Sequence, residues 1–115
     1  MVKIVNKTKN TILAEKAEIA NTPLKRMKGL LDKVALEHGE GLIIKPCSSI
    51  HTFFMRFCID VIFLDRNNRV VALTESLSPW RLFGSALKGR MVIELPSGTI
   101  AKAKTSINDT IEITE

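Results

Sequence analysis

A chain of 115 residues suits one domain, residues 1–115, and is long enough to bury a hydrophobic core. Its 45% apolar and 25% charged residues exclude a disordered or fibrous chain. Lys and Arg outnumber Asp and Glu by 17 to 12, a net charge of +5 of the size that aids solubility.

Residues 2–5 and 11–19 read as strands joined by the turn-rich Asn6-Lys7-Thr8-Lys9-Asn10. Thr22-Pro23 marks a helix start, with Thr as N-cap and Pro at the first helical position. Leu24, Met27, Leu30 and Leu31 follow at helical spacing, with Lys25, Arg26 and Lys28 on the wet face. The pattern predicts a short amphipathic helix covering one end of a sheet. Residues 32–40 are mostly polar and lead into the loop Gly39-Glu40-Gly41.

From Gly41 onward the chain turns strongly β. Leu42-Ile43-Ile44 is a short buried strand ended by Pro46, and residues 49–55 and 59–64 read as two more. Asp65-Arg66-Asn67-Asn68-Arg69 is a hairpin turn, after which residues 69–74 return as a Val-rich strand. Residues 76–89 carry Pro79, Trp80, Gly84 and Gly89 and read as one long surface loop. Residues 91–95 form a strand, Pro96-Ser97-Gly98 opens a short helix to Lys104, and residues 110–114 close the sheet. The fold class is α+β and mainly β: a compact antiparallel or mixed sheet, barrel- or sandwich-like, with one or two short helices.

Residues 1–6 hold no apolar run of signal-peptide length. The longest apolar runs, 61–64 and 70–73, fall far below the roughly 20 residues a bilayer requires. A cytoplasmic protein without membrane contact is expected, with Cys47 and Cys58 reduced. The basic groups Lys25, Arg26, Lys28 and Arg81, Lys88, Arg90 are not interleaved with several aromatics, so nucleic acid is not an expected partner.

The densest stretch runs from Ile50 to Phe57. Strand alternation puts Ile50, Thr52 and Phe54 on one face and His51, Phe53 and Met55 on the other, so the strand is sandwiched. A buried imidazole needs a partner for its N–H, which makes His51 either a structural residue or a pocket anchor. Asp60, in the oily Ile59-Asp60-Val61-Ile62-Phe63-Leu64, needs partners too; Arg56, His51 and free backbone N–H groups are the candidates. If Asn68 is left-handed in a three-residue loop with a bulge, Asp65 pairs with Arg69 and Asp60 faces Thr74. A two-residue loop would oppose Asp60 and Glu75, an unfavourable like-charge pair.

Glu94 repeats the pattern of Asp60 in Val92-Ile93-Glu94-Leu95-Pro96, and the two acids could frame one polar spot with His51. Cys47 stands four residues before His51 as a nucleophile or ligand candidate, without a flanking nucleophile signature. Trp80, the only Trp, either floors a pocket or packs as a lid. Cys47, His51, Cys58 and Asp60 lack the short paired spacings of metal ligands. No phosphate loop or other cofactor-binding signature occurs, so no cofactor is expected.

Arg26-Met27-Lys28-Gly29-Leu30, Cys47-Ser48-Ser49-Ile50-His51-Thr52-Phe53-Phe54-Met55, Ile59-Asp60-Val61 through Leu64-Asp65, and Glu94-Leu95-Pro96 followed by Gly98 together resemble the domain of unknown function 192 family. The resemblance spans roughly residues 10 to 113. Cys58 departs from it where many members resemble Pro, and Asn68 where Gly is usual. It implies a compact, mainly β fold with a small helix, and no agreed reaction, cofactor or substrate. Many relatives look exported. The motif residues sharpen the site to His51, Phe53, Met55, Asp60 and Glu94.

Three functions follow as expectations. The first is a module binding an unidentified small molecule or protein, with a polar pocket anchored by His51 and Asp60 and walled by Phe53, Met55 and Trp80, with Cys47, Arg56 and Glu94 near it. The second is a small hydrolase or lyase using His51 as base, Asp60 or Glu94 as its orienting carboxylate, and Cys47 as nucleophile. The third is an RNA-associated or protein-interaction module using Lys25, Arg26, Lys28 and the Arg81 loop.

Overall fold

The computed structural model describes residues 1–31, 33–47, 49–52, 55–84 and 89–115; the side chains of Ser49, His51 and Phe83 also lie outside what it describes. Alternation builds the N-terminal hairpin. In β1 (Val2–Asn6) Val2, Ile4 and Asn6 are buried while Lys3 is exposed. In β2 (Thr11–Ala20) the buried residues are Leu13, Ala14, Ala17 and Ala20. Thr22 then caps α1 (Pro23–Lys28), its hydroxyl accepting from the Lys25 N–H at 3.2 Å.

The remaining elements are β3 (Glu40–Ile44), β4 (Ser49–His51), β5 (Ile59–Leu64), β6 (Val70–Leu77), β7 (Leu82–Gly84), β8 (Met91–Pro96), α2 (Thr99–Ala103) and β9 (Ile111–Thr114). Seven strands form one sheet in the order β6-β5-β8-β3-β2-β1-β9, and β4 pairs with β7 in a small second ladder. Only β2 and β3 pair in parallel within the large sheet. A parallel pair needs a long crossover, and this one carries α1 across the sheet's outer face.

The sheet curls into a half-barrel. Its two edges approach each other where the Val70 N–H donates to the Asp109 carbonyl at 2.9 Å and the Asn108 N–H to the Val70 carbonyl at 2.8 Å. The concave side packs Ile4, Leu13, Ile43, Ile62, Ile93 and Leu95 under Ile100 and Ala103 of α2. At Gly41 a Cβ would lie 3.1 Å from Leu95 Cδ2 and 3.3 Å from Ala14 Cβ, so β3 packs closely on its neighbours there and a larger residue would require them to shift by a few tenths of an ångström. A second core on the convex side unites Leu30, Leu42, Ile44, Ile50, Met55, Val61, Phe63 and Val92. Strand β5 lies between the two cores, and all six of its residues are buried.

The mainly β, mixed-sheet architecture with two short helices is as expected from the sequence, and the chain differs from expectation in three places. The strand foreseen over residues 49–55 stops at His51. Thr52 is fully buried, and its carbonyl accepts from both Trp80 and Met55 N–H groups, which bends the chain away from a ladder. Ile50 and Met55, expected on opposite faces, therefore share one core. Residues 76–89 are not a single loop, because β7 forms within them against β4. The apolar side of α1 is not packed on the sheet: Leu24 and Met27 are each 76% exposed, and only Leu30, beyond the helix, is buried.

Candidate functional site

The two acids in apolar strands stand on neighbouring strands of the large sheet. Asp60 pairs with Leu95 and Glu94 with Val61. Neighbouring residues of a strand alternate in face, so Asp60 joins Ile62 and Leu64 on the concave side while Glu94 joins Val92 on the convex side. They therefore do not frame a common spot.

Asp60 is completely enclosed, and both of its oxygens are used. Oδ1 accepts from the Ser76 N–H and Oδ2 from the Ile100 N–H, each at 2.8 Å. Two register shifts produce the first bond. Asn68 is left-handed (φ 59°), and the Asp65 N–H donates to the Arg69 carbonyl at 3.0 Å, as the three-residue loop requires. Irregularities at Phe63/Leu64 and Ile59/Val61 then advance the pairing, so that Val61 rather than Asp60 faces Thr74. The second coincides with Ser76 at φ 50°, whose N–H meets the Asp60 carboxylate. The other bond ties β5 to the start of α2, which follows the left-handed Gly98 (φ 96°). Asp60 is thus held by main-chain groups rather than by Arg56, which is exposed.

Glu94 has the opposite environment. Leu42 and Val61 flank it on the adjacent strands. Its side chain is 3% exposed, and among the described residues no donor reaches its carboxyl. Burial alone pushes its pKa up from 4.5 to about 7. The carboxyl borders a hollow of about 370 Å³ between α1, the Pro46–Cys47 corner and the convex core. Ile44, Ile50, Met55, Leu30 and Leu31 supply its apolar wall, and Arg26, Lys28 and Cys47 its other polar groups.

Arg26 was expected on the wet face of the helix; it is instead half-buried. Its Nη1 donates to the Pro46 carbonyl at 3.2 Å, while Nε is enclosed without an acceptor among the described residues. The signal that marks it in the sequence is its place in Arg26-Met27-Lys28-Gly29-Leu30, not its charge pattern.

Of the residues singled out from sequence, Cys47, Met55 and Glu94 meet at this hollow. Trp80 does not border it. It is 60% exposed at φ 66°, with its N–H given to the Thr52 carbonyl at 3.0 Å. The His51 backbone pairs with Leu82, while its side chain and all of Phe53 lie outside the described residues. Lys88 does too. Among the described residues no three His, Cys, Asp or Glu side chains gather as metal ligands, and no helix is long and apolar enough to cross a membrane.

Residues 4–113 match the model of DUF192, described as "Uncharacterized ACR, COG1430". The chain belongs to the DUF192 family. It is 40% identical to a UPF0127 protein of Pyrococcus horikoshii, over 95% of this chain and 96% of that one. A UPF0127 protein of Thermococcus sibiricus is 34% identical over 95% of this chain and 73% of its own. The fold is shared with a protein of unknown function from Novosphingobium aromaticivorans, at a TM-score of 0.83 and 21% identity, covering 96% of this chain and 82% of that one. This DUF192 chain thus carries its two strand acids in two different environments, one held by main-chain donors and one bordering a hollow.

Proposed function

We propose that this DUF192 protein binds a small molecule in the convex-side hollow, with Glu94 as its polar anchor. The observation that supports the reading is a carboxyl that is almost wholly buried, lacks a donor among the described residues, and borders a space of about 370 Å³. An unmet polar group removed from water costs about 1–3 kcal/mol, so a ligand that meets it recovers that cost. The volume lies within the range of small-molecule clefts, and the lining is mostly apolar with few polar groups, as such clefts are. Asp60, expected as a second anchor, has no free oxygen to offer.

The test is a thermal-shift screen of the folded protein, repeated on Glu94→Leu, which removes the polar anchor, and on Ile50→Trp, which fills the hollow. Compounds that stabilise the parent are expected to lose their effect in both variants. Compounds that shift all three proteins equally would end the proposal.

An enzymatic reading draws on one further observation: Glu94 titrates near neutrality in the same hollow that Cys47 borders. A carboxyl poised near pH 7 suits general acid–base work. Cys47→Ser separates the two readings. It leaves a bound ligand's affinity within about threefold under the binding reading and abolishes turnover of that ligand under the enzymatic one.

A further inference from the structure

Two polar side chains of the lining, Arg26 and Glu94, suit an anion. Arg26 is a half-buried guanidinium in that lining, its Nη1 engaged at the Pro46 carbonyl. Glu94, when protonated, carries an O–H with no acceptor in reach among the described residues. The permanent charge beside them is positive, from Arg26 and Lys28 on α1. The neighbours of Glu94 on β3 and β5, Leu42 and Val61, are uncharged. Among the described residues, the only other titratable group lining the hollow is the thiol of Cys47.

From this geometry we infer that the ligand of the hollow is a small carboxylate with an apolar tail, whose anionic head is drawn by the Arg26 guanidinium charge and accepts from protonated Glu94 while its tail lies on Ile44, Ile50 and Met55. The inference rests on the small-molecule reading given above and narrows it. An amine would meet the guanidinium's charge and find no acceptor but an ionised Glu94. A neutral amide would supply an acceptor without the charge that complements Arg26.

Proton balance follows directly. At pH 6 the Glu94 proton is in place and the anion binds without further exchange. At pH 8 the empty site has mostly lost that proton, so binding takes one up from solvent: carboxylate plus site plus H⁺ gives the complex. Because Glu94 titrates near 7, the competent fraction falls from about nine-tenths at pH 6 to about one-tenth at pH 8, and apparent affinity falls about tenfold.

The experiment titrates hexanoate, hexanamide and hexylamine into the protein, following the Met27 and Met55 methyl resonances, with calorimetry in buffers of different ionisation enthalpy. Hexanoate is expected to bind tightest, about tenfold more weakly at pH 8 than at pH 6, with close to one proton taken up at pH 8. Glu94→Gln should flatten that pH dependence. Arg26→Met, which removes the positive charge from the lining, should weaken hexanoate by about tenfold or more. Preference for hexylamine or hexanamide, or hexanoate binding independent of pH, overturns the carboxylate inference and leaves a small-molecule hollow standing. No perturbation of either methyl by any of the three probes overturns both.

Discussion

A carboxyl group taken out of water keeps its charge only if donors surround it; otherwise it holds its proton. Asp60 meets such donors in the N–H groups of Ser76 and Ile100, whereas Glu94 meets none among the described residues and burial pushes its pKa up to about 7. Asp60→Asn would turn an amide donor toward one of those N–H groups. A loss of about 3 kcal/mol is expected, read as a lower urea midpoint with an unchanged slope. Glu94 behaves differently with pH. Its folded-state pKa lies above its unfolded one, so between about 4.5 and 7 the unfolded chain sheds a proton that the folded chain keeps. Stability present below pH 4.5 is therefore lost as pH rises toward 7, by about 3 kcal/mol in total. Glu94→Gln is expected to remove that decline and to raise Tm at pH 8 while changing it little at pH 4.5. Both acids were recognisable from sequence as anomalies in oily strands. Their separate fates were not, because the alternation that sends neighbouring side chains to opposite faces says nothing about which face holds donors.

Among elements, α1 stands on its caps rather than on a buried face. Thr22 accepts from Lys25, Gly29 closes the C-terminal end with its N–H on the Lys25 carbonyl at 3.0 Å, and none of the six helical residues is buried. Such a helix opens locally at low cost. Thr22→Ala should therefore cost about 1 kcal/mol in the helix, seen as faster amide exchange at residues 25–28 with the exchange of β5 and β8 unchanged. This matters for the hollow, since Arg26, Met27 and Lys28 form one of its sides. The Thr-Pro start was plain in the sequence. The periodicity of Leu24, Met27 and Leu30 pointed to a packed face, yet the helix ends at Lys28, so only Leu30, on the chain that follows, reaches the core. Helical spacing reports which residues share a side, not how far the helix sits from the sheet.

The whole fold is closed by a polar cluster at the barrel's seam. Asp109 accepts from Asn6 Nδ2 at 2.9 Å, from Lys9 Nζ at 2.8 Å and from the Ser106 N–H at 2.9 Å, joining the first hairpin to the last loop. Burial works to raise its pKa, but the bonds from Asn6, Lys9 and Ser106 and the charge of Lys9 outweigh it and hold the carboxyl below its usual 3.8. That contribution is complete above pH 3.8 and is lost as acid protonates Asp109, opposite in sign to that of Glu94. The two together place maximal stability well on the acid side of neutrality, at about pH 4–4.5, in a thermal-unfolding series. Asp109→Asn should flatten the acid limb, and Glu94→Gln should move the maximum upward. An alkaline maximum in the parent would contradict this account.

Local chemistry was enough to read most elements from the chain: alternation for the strands, Thr22-Pro23 for the first helix, Asn68 for the three-residue hairpin loop, and two misplaced acids for the places worth attention. These signals act over a few residues, where sterics, capping and period leave little choice. The bulges that brought Ser76 rather than Thr74 to Asp60, the bend at Thr52 that joined Met55 to Ile50, and the half-burial of Arg26 all depend on groups far apart along the chain. Long-range pairing alone settles where a backbone N–H is spent, and so which acid is held by main-chain donors and which one borders an open space.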